Sequence, residues 1–225
     1  MRVSEYIKLH HLNRHDIKLV LSGDELGWAD KLSDKICEIG GNIYLDSPRQ
    51  TGKSTALTIA ATRFVADSSN SIKNIIVVCE TLLPPITYES IINDYAIRHD
   101  VGELRFKFSM IMATLTVRFV QLDASITFIK GSVFSRDFLQ VMRGVRGDYI
   151  FFDDCTTGTI MENVIKRFAD TPCVIAETSE RKGHREIVKQ FMERHGTVNI
   201  SVGMNHLAAS PSPSRILMPS VRTFI

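Results

Sequence analysis

The sequence has no long hydrophobic run. No stretch of about 18 consecutive apolar residues occurs in it, so no segment is written to cross a bilayer as a helix. The first residues, MRVSEYIKLHHLNRHD, lack the apolar centre of a secretory signal. Charge of one sign is also scarce. The 27 Lys and Arg against 25 Asp and Glu leave a net charge of +2, too little for a whole-surface electrostatic footprint toward nucleic acid. The four cysteines, at 37, 79, 155 and 173, show no Cys-x-x-Cys spacing and read as reduced core thiols. The seven histidines show no metal-ligand spacing, and no internal repeat is present. These absences argue against a disulfide scaffold, a helical membrane protein and a zinc module. The expectation is a soluble, intracellular protein with no membrane partner.

What is present is ordinary globular composition, 44% hydrophobic and 23% charged, over 225 residues, enough for one sizeable domain. Residues 1–40 read as an N-terminal helical segment, clearest over 24–39, where Leu26, Ala29, Leu32, Ile36 and Ile39 repeat near a period of about 3.6 and Gly40-Gly41 follow. Short apolar runs at 42–45, 75–79, 149–152, 173–176 and 198–202 read as buried strands. Residues 115–120 and 125–129 read as two strands joined by a turn near Leu122-Asp123. Helices are expected over 53–65, 88–98, 136–142, from Gly158 to Phe168, and 185–195. Strands alternating with helices imply an α/β domain with a mostly parallel sheet and helices on both faces. The domain core spans 41–205, and 206–225, with Ser-Pro-Ser-Pro-Ser, has the composition of a linker.

The segment Ser47-Pro48-Arg49-Gln50-Thr51-Gly52-Lys53-Ser54-Thr55 lies between an expected strand and an expected helix. It matches the phosphate-loop pattern GxxxxGK[ST], with Ser47 in place of the first Gly. Each residue type has a reason. Backbone N–H groups of such a loop and the following helix N-terminus aim at a β-phosphate. Gly52 permits close approach of backbone to phosphate. Lys53 supplies a cation between β- and γ-phosphates, and the Ser54 hydroxyl is a Mg²⁺ ligand. The expected substrate is ATP with Mg²⁺.

The apolar run Tyr149-Ile150-Phe151-Phe152 ends in Asp153-Asp154. Alone, that is a common strand end. Beside a phosphate loop it reads as the acidic strand of an NTPase, with Asp153 holding the metal and Asp154 polarising the attacking water.

Taken together, these residues resemble the terminase large subunits of tailed phages and herpesviruses. The loop 47–55 is similar to theirs. So are Ile126-Thr127-Phe128-Ile129, Gly131-Ser132 and Arg143-Gly144-Val145-Arg146-Gly147-Asp148-Tyr149, running into the Asp-Asp strand. The strand end Glu177-Thr178-Ser179 resembles the terminase coupling motif, which implies that Thr178 or Ser179 senses the γ-phosphate. The likeness covers about residues 40–200. It implies a RecA-like P-loop ATPase that drives double-stranded DNA into a capsid. The implied partners are DNA, a homo-oligomeric ring, a portal and a small terminase subunit, in a virus-infected cell. The chain departs from the family in the Asp at 154, where these motors more often carry Glu. No acidic cluster of the family's nuclease domain follows residue 202, so no cutting activity is expected of it.

Other residues carry alternatives. Arg49 fits a cis arginine finger as well as a solvated loop charge. Arg143, Arg146, Arg181 and Arg185 are candidates for a finger given to a neighbour, and residues 181–185 for DNA phosphates, but each fits a surface charge better. Trp28 fits core packing better than an adenine wall. The rival functions are a helicase-like P-loop ATPase and a nucleotide-bound structural or regulatory subunit with little turnover.

Overall fold

The computed structural model describes residues 16–21, 25–48, 51–67, 69, 71–111, 114–131, 145–154, 170–178 and 197–204. Among these are nine strands and three helices. The strands are β1 Asp16–Leu21, β2 Ile43–Ser47, β3 Asn74–Cys79, β4 Phe106–Ile111, β5 Thr114–Phe119, β6 Ala124–Lys130, β7 Tyr149–Asp153, β8 Cys173–Thr178 and β9 Val198–Met204. The helices are α1 Glu25–Ile39, α2 Lys53–Ala66 and α3 Pro85–Arg98. All strands join one sheet in the order β1-β9-β2-β8-β7-β3-β6-β5-β4. Pairing is parallel from β1 through β6 and antiparallel in β6-β5-β4.

The middle of the sheet is built from the most apolar segments, as burial on two faces requires. Ile75, Val77, Tyr149, Phe151, Val174 and Ala176 share a core cluster with α1, α2 and α3. Ile76, Val78, Ile150, Phe152 and Ile175 project to the opposite side by strand alternation and are also buried, so the sheet is covered on both faces. The expected helices over 136–142, 158–168 and 185–195 lie outside the described residues. Phe64 of α2 stacks on Tyr149 at 4.8 Å and meets Phe151 at 6.3 Å, which ties the loop helix to the acidic strand. Truncating such a core ring to Ala costs about 3–5 kcal/mol.

Helix boundaries follow local chemistry. α1 ends at Gly40, whose φ of 60° suits glycine and whose N–H returns to the Ile36 carbonyl at 3.0 Å. α3 begins with Pro85 in its first turn, where the missing N–H removes no helical bond. Charge pairs clamp the helices together: Arg63 pairs with Asp34, and Arg98 with Asp30.

Two expectations need correction. The N-terminal segment is not helical throughout, because Asp16–Leu21 is an edge strand paired in parallel with β9. Its apolar run Leu19-Val20-Leu21 is too short to separate helix from strand by period, and the pairing that decides it comes from the far end of the chain. Phe106–Ile111, read as part of no element, is a strand at the other edge. There half-buried Phe106 and Phe108 alternate with exposed Lys107 and Ser109, while Met110 and Ile111 at the strand's end are exposed.

Candidate functional site

The carboxyl ends of β2, β8, β7 and β3 lie side by side. Ser47 is level with Thr178, Asp153 with Ala176, and Cys79 with Asp153. Because β8 lies between β2 and β7, its last residue stands between the phosphate loop and the acidic strand end. In an open parallel sheet this end is where ligands bind.

The loop is braced at its base. Ser47 is fully buried, and its hydroxyl lies 3.0 Å from that of Thr51. Thr51 in turn donates to the Pro48 carbonyl at 3.0 Å, so the Ser47 hydroxyl donates to Thr51. This accounts for a Ser in place of the expected first Gly: the position is the last residue of a strand, and its side chain ties the loop across. The buried indole of Trp28 in α1 donates its N–H to the Thr51 carbonyl. Trp28 is thus a core residue that also holds the loop. Gly52 precedes α2 in the left-handed region, φ 73° and ψ 21°, and no side chain caps the helix behind it. A glycine is needed there, since other L-residues pay about 1–2 kcal/mol in that conformation. An uncapped helix start behind a left-handed glycine presents N–H groups to an anion. Arg49, Gln50 and Ser179 lie outside the described residues, as do Arg143, Arg181 and Arg185. Pro48, Ser54 and Thr55 are half-buried, and Arg146 is exposed.

Lys53 is the buried cation at the centre. Its Nζ donates to Thr178 Oγ1 at 3.0 Å and lies 3.3 Å from Asp154 Oδ2. The Thr178 hydroxyl donates to the same carboxylate, 2.8 Å from Oδ1 and 2.9 Å from Oδ2. Asp154 reaches this position because it leaves the strand with φ 52°, a conformation Asp tolerates better than most residues, and its N–H bonds the Ala176 carbonyl at 2.9 Å. The loop lysine, the second acid and the strand-end threonine therefore form one cluster. Asp154, expected to polarise water, here holds Lys53 and Thr178.

Asp153 stays on the strand and accepts a hydrogen bond from Ser54 at the start of α2. Burial raises its pKa to about 6; Ser54 and Lys53 pull it down, while Asp154 and Glu80 push it up. No cluster of three or more His, Cys, Asp or Glu suited to a metal occurs among the described residues. One carboxylate beside one hydroxyl is instead the hard-oxygen set that binds Mg²⁺ together with phosphate oxygens.

Sequence reading missed Glu80. It follows β3, is exposed, and its N–H bonds the Asp153 carbonyl at 3.1 Å. The signal was an apolar strand ending in an acid, the same one that marked Asp153. A second omission lies on the other side of the sheet, where the Tyr44 hydroxyl donates to the buried Glu177 at 3.0 Å.

No protein-family model and no curated protein matches the chain. Solved structures do. The large terminase of a thermophilic bacteriophage superposes with a TM-score of 0.51 at 13% identity, over 76% of this chain and 45% of that one. The fold is the one found in phage large terminases. It is a RecA-like P-loop α/β fold with a mostly parallel sheet. The ATPase domain of the Thermus phage P74-26 large terminase is also similar, at a TM-score of 0.49 and 13% identity over 90% of this chain and 86% of that one. The first of these terminases has also been solved with ATP-γ-S, and in that form the TM-score is 0.49 at 13% identity, over 76% of this chain and 44% of that one. The chain spans less than half the length of that full terminase. No described helix is long and apolar enough to cross a membrane.

Proposed function

We propose that this chain is the ATP-hydrolysing motor domain of a viral DNA-packaging terminase. The observation that carries the reading is the convergence of Lys53, Asp154 and Thr178 beside the left-handed Gly52 and the uncapped start of α2. Buried charges are paired or hold a ligand, and these groups come from the start of α2 and the ends of β7 and β8.

In this reading the loop N–H groups and Lys53 bind the β- and γ-phosphates of ATP. Asp153 and Ser54 hold Mg²⁺, which supplies charge neutralisation at the phosphates when bound. Lys53 must leave Asp154 to engage phosphate. Thr178 touches both and so registers that exchange, which suits a residue coupling nucleotide state to motion on β8. Arg49 remains a candidate for stabilising transferred charge. Work on double-stranded DNA, assembly as a ring, and docking on a portal or small terminase subunit belong to the same proposal. They are supported by the shared fold and by the sequence resemblance.

The test is steady-state phosphate release from Mg²⁺-ATP, with and without double-stranded DNA. Turnover that rises with DNA is expected. One observation favours a low-turnover nucleotide-bound subunit instead, namely that Lys53 is already neutralised by Asp154. Tight ATP binding with no turnover, with or without DNA, would decide for that reading.

A further inference from the structure

β8 is apolar from Cys173 to Ala176 and then ends in Glu177 and Thr178. Strand alternation sends these two side chains to opposite faces of the sheet. Thr178 lies on the site face, where it meets Lys53 and Asp154. Glu177 goes to the far face and is buried there. A buried carboxylate is costly unless it is hydrogen-bonded. Here the Tyr44 hydroxyl donates to Oε2 at 3.0 Å, while Oε1 is buried with no hydrogen-bond partner. Asp46 is level with Glu177 on the neighbouring strand, so the two acids share a face as like charges and do not help each other. Among the described residues, the Tyr44 bond is what ties the Glu177 carboxylate down.

Tyr44 stands three residues before Ser47 on β2, the strand that runs into the phosphate loop. It is level with Ile175, so its hydroxyl reaches along the sheet to the residue two places further on β8. The tie therefore joins the loop strand to the neighbour of Thr178. On the site face the end of β8 is held by the bonds of Thr178 to Lys53 and Asp154, and the first of these is lost when Lys53 turns to phosphate. The far-face tie lies across the sheet from that exchange and outlasts it.

We propose that Tyr44 and Glu177 are positioning residues for hydrolysis, whose bond holds the end of β8 so that the Thr178 hydroxyl stays in place when Lys53 moves to phosphate. This rests on the ATP-hydrolysing reading of the same site. Neither residue touches nucleotide, and both act through Thr178. Cutting the tie leaves Lys53 and the loop N–H groups as they are, so binding is spared and the chemical step slows.

The experiment is a double-mutant cycle of Tyr44→Phe with Thr178→Ala, with Glu177→Gln and Tyr44→Phe/Glu177→Gln beside it. Hydrolysis is read as kcat and KM for Mg²⁺-ATP, binding by titration with a fluorescent ATP analogue, and folding by thermal melts, with each assay run well below the variant's own melting temperature. Tyr44→Phe should bind nucleotide within about twofold of wild type and lose about 5–50-fold in kcat, the scale of a small misplacement near the reacting atoms. In the Thr178→Ala background the same change should alter kcat by less than about twofold, because the residue it acts through is gone. Glu177→Gln keeps an acceptor for Tyr44 and should stay within about threefold of wild type in kcat. Tyr44→Phe/Glu177→Gln should regain melting temperature over Tyr44→Phe but not kcat. A loss under about threefold in Tyr44→Phe overturns the proposal, as does an equal loss in both backgrounds or a kcat that recovers together with the melting temperature. A wild type that hydrolyses nothing would bring down the ATPase reading, and this proposal with it.

Discussion

Replacing Asp154 with Asn removes a charge from the centre of the site while keeping its shape. Lys53 would then be a cation whose side chain is only 5% exposed, without its counter-ion. Breaking a fully buried pair from one side costs about 3–5 kcal/mol. Here the figure is lower, because the Asp154 side chain is 24% exposed, the Asn carbonyl still accepts, and Thr178 still accepts one Lys53 N–H. About 1.5–3 kcal/mol remains. For a chain of this size that is a fall in melting temperature of about 3–12 °C. Nucleotide should reverse it. In the wild type, phosphate must displace Asp154 from Lys53. In the variant no such exchange is needed, and the phosphates supply the missing charge. Differential scanning fluorimetry with and without Mg²⁺-ATP-γ-S reads both quantities. The free variant should melt lower, and its nucleotide-induced rise should exceed that of the wild type by a similar margin. A variant that melts like the wild type, or gains no more from nucleotide, would show that the Lys53–Asp154 pair holds nothing.

Further outcomes follow from single contacts. Trp28→Phe keeps the packing but leaves the Thr51 carbonyl without its donor, so it should cost about 1 kcal/mol in a denaturant melt and weaken ATP binding several-fold. Tyr44→Phe leaves the buried Glu177 without its hydroxyl donor and should destabilise by about 1–3 kcal/mol, with Glu177→Gln in the same background recovering part of the loss. Asp153 gives a pH dependence. Its folded pKa of about 6 exceeds the ordinary 3.8, so the folded state binds the extra proton between those values. Its contribution is most favourable below about pH 4 and is lost as pH rises through about 6, by an amount on the order of 1–2 kcal/mol once its partial exposure is allowed for. Asp153→Asn should flatten the stability profile across that window, and Mg²⁺ should stabilise the nucleotide complex more at pH 7.5 than at pH 5.

The parts of this fold legible in the sequence are those whose burial is two-sided. β3, β7 and β8 are continuous apolar runs because both their faces are covered, and the loop between β2 and α2 has a fixed residue code because phosphate chemistry dictates it. The edges were not legible. β1 and β4 each gain most of their order from one neighbour, so their residues carry a weak pattern. The site was legible as a set of residue types, not as an arrangement. Nothing local announces that Asp154 turns back through a left-handed backbone to Lys53, because that turn is held by the Ala176 carbonyl on β8, and the partner Thr178 arrives far along the chain.

The most direct test of the account is phosphate release from Mg²⁺-ATP by wild type and by Lys53→Ala, each checked for folding by circular dichroism. The account predicts metal-dependent release by the wild type and none above background by a folded Lys53→Ala. Equal release by both proteins would contradict it.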